Sequence, residues 1–268
     1  MVIVFDLDGV VYRGDTPLPG AVSALAALSR AGHSLYFLTN NSTRSRAHYA
    51  DKLTRMGIPT GAEQVVTSSY LTGRYLAERG GAGKRAYLVG EHGMAEELRL
   101  AGVEIAPDDG DEPVDYVVVG LDRNLTYARL ARAHELIQRG ARFIATNRDA
   151  TYPVEDGREI PGGGAMVAAL EHSTGVRAVT IGKPEPYPWR HILATTGVAP
   201  ADALMVGDRP ETDVLGAKRL GMRTALVLTG VTRGEAVANL PEEQRPDAVL
   251  TGVAELPALL EAWAVAVR

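Results

Sequence analysis

Short apolar runs alternate along this chain with longer segments that have helical spacing. The runs are VIVF (2–5), LYFL (35–38), AYLV (86–89), YVVVG (116–120), RFIAT (142–146), ALMVG (203–207) and TALVL (224–228). Runs of this kind, rich in Val and Ile, are typical of strands buried on both faces of a parallel sheet. Most of the helical segments end at a glycine, where helix C-termini commonly lie. The alternation predicts an α/β fold with parallel sheets and right-handed crossovers.

The composition excludes several classes of protein. The chain has 268 residues, of which 46% are hydrophobic and 23% charged, enough for a sizeable core in one or two domains. It has no cysteine, which excludes disulfides and cysteine nucleophiles. A net charge of -5 without a long basic block argues against a nucleic-acid polymer or an anionic membrane as partner. No apolar stretch approaches the ~20 residues of a membrane helix and the N-terminus lacks a basic leader, so we expect a cytoplasmic location.

Four polar clusters begin where predicted strands end. They are DLDG (6–9), TNNS (39–42), GKP (182–184) after AVTI, and GDRPETD (207–213). Singly, each has an ordinary interpretation, because strand-end acids form turns or cap helices and a lone lysine is usually a surface charge. In an open parallel sheet, however, ligands bind beyond the carboxyl ends of the strands. The joint occurrence of the clusters therefore predicts one shared site.

The same segments resemble a known family. DLDGVVYRGDTPLPGA, FLTNNSTRS, GKPEPYPW and GDRPETDVLGAKRLGM are similar to the four motifs of the haloacid dehalogenase superfamily. GLDRNLTY (120–127), ATNRDATYP (145–153) and PGGGAMVAALEHSTG (161–175) resemble cap segments of its NagD and 4-nitrophenylphosphatase-like subfamily. The resemblance implies a Rossmann-like core with helices on both faces of a parallel sheet, and an inserted α/β cap of the C2 type. We predict a core at 1–75 and 180–268 and a cap at 76–179.

The acids in these motifs suit phosphoryl transfer, where catalysis comes mainly from positioning and from neutralising charge. An aspartate is ionised at neutral pH and can attack phosphorus. The resemblance implies that Asp6 is the nucleophile and that Asp8 is the general acid and base. It also implies a Mg²⁺ site formed by Asp6, the backbone carbonyl of Asp8, and Asp208. Asp213 is expected not to bind the ion directly but to orient metal-bound water or Lys183.

Residues after the second predicted strand are candidates for phosphate binding. Thr39, Asn40 and Asn41 lie where a hydroxyl group and backbone N–H groups near a helix start can cradle an anion. The resemblance implies that Lys183 neutralises the phosphate charge and also contacts Asp6. The sequence therefore predicts these four residues as the phosphate-binding set.

The cap segments contain candidates for substrate recognition. Asn147, Asp149 and Tyr152 follow a predicted strand and resemble a specificity loop, so we predict that they contact the substrate. A plain polar loop with a locally packed Tyr152 is the alternative. Asp122 and Arg123 are weaker candidates, because their segment also suits a helix-capping loop.

The sequence thus predicts a Mg²⁺-dependent phosphomonoesterase that acts through an aspartyl-phosphate. Its substrate is expected to be a small cytosolic ester, such as a sugar phosphate, a nucleoside monophosphate, glycerol phosphate, phosphoglycolate or pyridoxal phosphate. One alternative is a phosphotransferase or phosphomutase with the same phosphoenzyme. Another is a non-catalytic phosphate-binding regulatory protein, which would have no need of the acid and base Asp8. The resemblance adds a homodimer through the cap as one candidate assembly, since caps of this type often meet in dimers, but the sequence alone does not fix the oligomeric state.

Overall fold

A computed structural model of the chain describes residues 1–153 and 158–266. Residue contacts divide the chain into two compact units. The first unit contains Met1–Thr39, Ala50–Val65 and the chain from Pro186 onward, and the second contains Asn40–Tyr49 and Val66–Glu185. The predicted division into core and cap rests on motifs rather than on contacts, and it stays a prediction.

All seven strands predicted from the apolar runs are present. The strands of the described residues are β1 (Val2–Phe5), β2 (Tyr12–Arg13), β3 (Thr16–Pro17), β4 (Ser34–Thr39), β5 (Val65–Thr67), β6 (Arg85–Val89), β7 (Glu104–Ile105), β8 (Tyr116–Val119), β9 (Arg142–Ala145), β10 (Thr151–Pro153), β11 (Glu159–Pro161), β12 (Val179–Thr180), β13 (Ala203–Gly207), β14 (Arg223–Val227) and β15 (Ala248–Leu250).

The helices of the described residues occupy most of the segments between the strands. They are α1 (Ala21–Arg30), α2 (Arg46–Arg55), α3 (Ser68–Ala77), α4 (His92–Leu100), α5 (Tyr127–Gln138), α6 (Gly163–Thr174), α7 (Tyr187–Thr196), α8 (Leu215–Lys218), α9 (Gly234–Val237) and α10 (Leu256–Ala266). A π-helical turn, Pro210–Val214, precedes α8. None of these helices combines the length and the apolar character that a membrane span requires.

The first unit is built on a parallel sheet in which β15, β14, β13, β1 and β4 lie side by side in that order. The central strand β1 is buried along its whole length, and its Val2 pairs with Ser34 on one side and Ala203 on the other. Since these strands are parallel, the carboxyl ends of β1, β13 and β14 meet at one edge of the sheet. The residues that follow these strands are therefore neighbours in space.

The second unit has its own parallel sheet, in the order β12, β9, β8, β6, β7. Val117 of β8 pairs with Tyr87 of β6 and with Phe143 of β9. These three residues pack with Leu136 of α5 and Leu170 of α6 in one buried cluster. The predicted α/β architecture, with a second α/β unit in the middle of the chain, is confirmed.

Two parts of the chain differ from the sequence-based expectation. Tyr152, which was expected in a loop, lies in β10 and pairs with Ile160 of the antiparallel strand β11; residues 154–157 lie outside the described part. Helix α3 was not predicted because it has no apolar stripe. Its buried face includes Ser68, Ser69 and Thr72, and its N-terminus is capped by Thr67, whose hydroxyl accepts the Tyr70 N–H.

An ion pair fixes the segment after β9 to α6. The Glu171 carboxylate accepts hydrogen bonds from the Arg148 guanidinium and from the backbone N–H of Ala178, the latter at 2.9 Å. Arg148 also donates to Thr180 Oγ1 of β12 at 2.7 Å. The hydrogen bonds from Arg148 outweigh the opposing effect of burial and lower the pKa of Glu171 to about 2.

We expect Glu171→Gln to remove part of the acid sensitivity of folding. The folded-state pKa lies below the ordinary value of 4.5, so the carboxylate stabilises the fold above that pH and loses its effect as the pH falls toward 2. At pH 7 the variant should be less stable by about 1–2 kcal/mol. The difference should shrink in thermal melts as the pH is lowered. Exposed Glu104→Gln is the control, and a constant difference at every pH would contradict the assignment.

Candidate active site

The turn after β1 carries the two predicted catalytic acids, and their surroundings differ. Asp6 continues the strand, since its N–H donates to Val206 O at 2.9 Å, and the residue is buried. The chain then turns at Gly9, whose φ of +80° lies in the left-handed region that favours glycine. Asp8 lies in this turn and is half-buried. The sheet edge therefore holds Asp6, while the turn holds Asp8.

Asp6 belongs to a cluster of three buried carboxylates. The side-chain oxygens of Asp6, Asp208 and Asp213 include a set that lies within 4.8 Å of one another. Strand pairing explains the first two, because Asp6 follows β1 and Asp208 follows the adjacent β13. Burial, followed by the charges of Asp6 and Asp213, raises the pKa of Asp208 well above its ordinary value. Such charges repel one another unless a cation or a proton offsets them.

Asp208 uses one carboxylate oxygen within the fold. Its Oδ2 accepts the N–H of Val231 at 2.7 Å, and its backbone carbonyl accepts Thr232 Oγ1 at 2.6 Å. Its Oδ1 is buried and has no hydrogen-bond partner among the described residues. A buried carboxylate oxygen without a hydrogen bond lowers the stability of the fold. Carboxylate oxygens are also the ligands that Mg²⁺ prefers. The three acids therefore fit a hard divalent cation.

Asp213 holds the backbone that carries Asp208. Its Oδ2 accepts the N–H of Asp208 at 3.2 Å and the N–H of Arg209 at 3.1 Å. A Cβ on Gly207 would lie 2.3 Å from the same oxygen, so a glycine is required for this approach. Asp213 is thus placed to orient Asp208 through the loop.

The loop after β14, TGVT (229–232), also holds the acids, and sequence analysis did not single it out. Thr229 Oγ1 donates to Gly9 O at 2.6 Å. Gly230 lies so close to Asp208 that a Cβ would be 1.9 Å from Oδ2. The signal was present, since the loop follows the predicted strand TALVL. It was missed because none of its residues is charged.

In the second unit, four predicted site residues form one hydrogen-bonded cluster. Asn40 Nδ2 donates to Asp149 Oδ1 at 2.9 Å and to Lys183 O at 3.0 Å, and Asn40 Oδ1 accepts the Lys183 N–H at 2.8 Å. Asn147 Nδ2 donates to Asn40 O at 2.7 Å, while its Oδ1 accepts the Asp149 N–H at 3.1 Å. The structure thus joins Asn40 and Lys183, two predicted phosphate-binding residues, to Asn147 and Asp149, two predicted cap contacts.

Asn41 also contacts the loop that contains Asp149 and Tyr152. Its Nδ2 donates to the Tyr152 hydroxyl at 3.2 Å. Its Oδ1 accepts the N–H and the hydroxyl of Thr43 at 2.9 and 2.8 Å. Thr39, the remaining predicted phosphate contact, is buried at the end of β4 in the first unit.

Asp122 and Arg123 take part in other contacts. Asp122 is buried, pairs with the Arg129 guanidinium and accepts the Asn124 N–H at 2.9 Å. Arg123 donates to both carboxylate oxygens of Glu91 at 2.7 Å. Both residues thus make contacts that stabilise the structure of the second unit.

The chain matches known phosphatases along nearly its full length. A haloacid dehalogenase-like hydrolase model matches residues 3–104, and a HAD-hydrolase-like model matches residues 180–256. Mouse chronophin is 39% identical over 97% of this chain and 92% of its own length. A 4-nitrophenylphosphatase from Thermotoga maritima has a TM-score of 0.88 and 34% identity, with 96% of each chain covered. A Mycobacterium tuberculosis glycerol phosphate phosphatase in complex with magnesium has a TM-score of 0.86 and 35% identity, covering 95% of this chain and 75% of that one.

Fold, acid cluster and relatives together define a phosphatase of the α/β class. The chain belongs to the haloacid dehalogenase-like hydrolases, and its relatives place it with the NagD-like group that the motifs predicted. The second α/β unit is consistent with a C2-type cap. The prediction of a phosphatase is confirmed, whereas the roles of individual residues stay predictions.

We expect Asp208→Asn to stabilise the protein in chelator while removing its response to Mg²⁺. The amide removes one of three clustered charges and keeps an oxygen for the Val231 N–H. In EDTA, thermal melts should show a rise of about 2–4 °C per kcal/mol of relieved repulsion. Mg²⁺ should stabilise the wild type and exposed Asp202→Asn, but not Asp208→Asn. A lower melting temperature for Asp208→Asn in EDTA would show that the carboxylates do not strain the fold.

A second prediction concerns the space around Asp208. In Gly230→Ala, the new Cβ would lie 1.9 Å from Asp208 Oδ2, so the carboxylate or its loop must move. Overpacking of this kind costs about 1–3 kcal/mol, and where this cost falls on the position of Asp208 that binds the ion, Mg²⁺ affinity should fall by about 5- to 150-fold. The matched control is Gly234→Ala, whose Cβ meets only Leu228 at 3.5 Å. The Mg²⁺ midpoint of phosphatase activity is the measurement, and equal midpoints for the two variants would refute the steric argument.

Proposed function

We propose that the protein is a Mg²⁺-dependent phosphomonoesterase that hydrolyses a small phosphate ester through an aspartyl-phosphate. The observation that carries the proposal is the buried cluster of Asp6, Asp208 and Asp213, in which one oxygen of Asp208 has no partner among the described residues. The relatives support it, because two of them are named as phosphatases and one of these was solved with magnesium.

Three groups would hold the cation. They are the carboxylates of Asp6 and Asp208 and the backbone carbonyl of Asp8, with Asp213 fixing the backbone of Asp208. When bound, Mg²⁺ would neutralise the negative charge that phosphate and Asp6 bring together. The donor set is entirely oxygen, which suits this ion.

The two acids after β1 have different proposed tasks. A carboxylate oxygen of Asp6 attacks phosphorus as the bond to the leaving oxygen breaks, while Asp8 donates a proton to that oxygen and the alcohol departs. Asp8 then accepts a proton from water as the water oxygen attacks phosphorus. The bond between Asp6 and phosphorus breaks, and inorganic phosphate leaves with both acids restored. The turn at Gly9 gives the two carboxyl groups different settings, as these tasks require.

Phosphate binding is assigned to Thr39, Asn40, Asn41 and Lys183. Lys183 supplies the positive charge, and its burial strengthens any interaction with an anion. For Asn40 the backbone N–H is the group proposed to bind phosphate, because its side chain is engaged with Lys183 and Asp149.

Substrate choice is assigned to the loop that contains Asn147, Asp149 and Tyr152. The loop is fixed through Asn40 and Asn41, and such preorganisation favours selective contacts with a leaving group. Asn147 is buried, whereas Asp149 and Tyr152 are half-buried, so Asp149 and Tyr152 are the stronger candidates for direct contact. The identity of the ester, the cytoplasmic location and the homodimer through the cap stay predictions.

Two variants test the assigned steps. Asp6→Asn should lower the release of phosphate from 4-nitrophenyl phosphate by at least about 10³-fold, because the amide is a poor nucleophile. Asp8→Asn should still form the phosphoenzyme from this ester, whose leaving group needs little protonation, but should hydrolyse it slowly. Rapid mixing should therefore show a burst of up to one equivalent of 4-nitrophenolate. Exposed Asp51→Asn is the control.

The contrary outcomes are distinct. Near-normal turnover by Asp6→Asn would remove it as the nucleophile. Absence of a burst in Asp8→Asn, with normal turnover, would remove Asp8 as the base. Substrate loss without stoichiometric inorganic phosphate, and only in the presence of a second alcohol, would indicate phosphotransfer instead of hydrolysis.

A further inference from the structure

Both N–H donors of the Asn40 side chain are used in contacts within the second unit. A carboxamide has two N–H donors and one acceptor oxygen. Both donors are used, toward Lys183 O at 3.0 Å and Asp149 Oδ1 at 2.9 Å, and the oxygen accepts the Lys183 N–H at 2.8 Å. The orientation of the amide is fixed chemically, since only its oxygen can accept from the Lys183 N–H. This side chain has no donor left for a phosphate.

The surroundings are built for this arrangement. A Cβ on Gly182 would lie 2.5 Å from Asn40 Oδ1 and 2.6 Å from Thr146 O, so only glycine allows the peptide before Lys183 to come this close. Asn40 O in turn accepts Ser68 Oγ at 2.6 Å and Asn147 Nδ2 at 2.7 Å. The main chain and the side chain of Asn40, which is 6% exposed, are thus both held.

We propose that Asn40 is a positioning residue, which fixes the backbone of Lys183 and the carboxylate of Asp149 through one carboxamide and does not bind phosphate with its side chain. This inference rests on the proposed function, because it concerns how Lys183 is presented to the substrate. It gives Asn40 a different role from Asn41, whose carboxamide contacts Thr43 and Tyr152. It also ties Lys183 to the loop assigned to substrate choice.

The main test is a double-mutant cycle with Lys183. Asn40→Ala should lower kcat/KM and the affinity for inorganic phosphate by about 10- to 100-fold, because it removes the hydrogen bonds by which Asn40 holds the backbone of Lys183 and the carboxylate of Asp149. In the Lys183→Met background, the same change should cost less than about twofold. Calorimetric titration with inorganic phosphate serves as a second readout that needs no turnover. Exposed Asn239→Ala is the control for an ordinary loss of an asparagine.

Two further variants separate positioning from a general loss of fold. Gly182→Ala keeps Asn40 and Lys183 but forces them apart, so it should reproduce the Asn40→Ala defect, again only when Lys183 is present. Asn40→Asp places a carboxylate against Asp149, and adding Asp149→Asn should recover part of the lost activity, because the donor and the acceptor are then exchanged. Melting temperatures of all variants are measured alongside.

The outcomes distinguish the two proposals. Full additivity of Asn40→Ala and Lys183→Met would mean that Asn40 binds phosphate independently, and the inference would be wrong. Absence of any recovery by Asp149→Asn would remove the contact with Asp149 from the mechanism. If Lys183→Met alone kept normal phosphate affinity and turnover, the assignment of Lys183 under the proposed function would fail first.

Discussion

Three buried carboxylates with oxygens within 4.8 Å of one another determine what can surround them in the first unit. Their mutual repulsion is offset only partly by backbone N–H groups, such as that of Val231 on Asp208 and that of Arg209 on Asp213. Close donors require backbone close by, and at position 230 the backbone lies so near Asp208 that a Cβ would be 1.9 Å from Oδ2. The glycine at 230 and the short hydroxyl residues beside it follow from this need. The three carboxylates are therefore held together by the loops at one edge of the sheet, and their own side chains alone do not explain the cluster.

Residues with proposed catalytic roles occur in both contact units. The carboxylates of Asp6, Asp8, Asp208 and Asp213 belong to the first, whereas Asn40, Asn41 and Lys183 belong to the second. The chain passes between the units at four peptide bonds, the first of them between Thr39 and Asn40. Each set is fixed by hydrogen bonds within its own unit. The loop after β14 holds the turn that carries the acids of the first unit, and Asn40 holds Lys183 in the second. The acidic and the cationic parts can therefore be perturbed separately.

Sequence reasoning recovered the strands because buried parallel strands have a strong local signal, and β1, β13 and β14 could be identified without tertiary information. It missed α3, whose buried face mixes small polar residues with Leu71 and Leu76, and the hairpin around Tyr152, whose strands are only three residues long. Charge made Asp208 conspicuous, while the neutral loop that holds it, through Val231 and Thr232, carried no such signal. The role of Asn40 could not be derived from its position, since only coordinates show that its donors are already used.

The sharing of one carboxamide by Lys183 and Asp149 has a thermodynamic consequence. If occupation of the Asp149 loop tightens its bond to Asn40, the backbone of Lys183 becomes more ordered, and by linkage an anion at Lys183 must favour occupation of the loop to the same degree. Recognition of the leaving group and recognition of the phosphate would then be cooperative. An ester that occupies both places would then bind more tightly than inorganic phosphate. After hydrolysis, the departure of either the alcohol or the phosphate would lower the affinity for the product that remains.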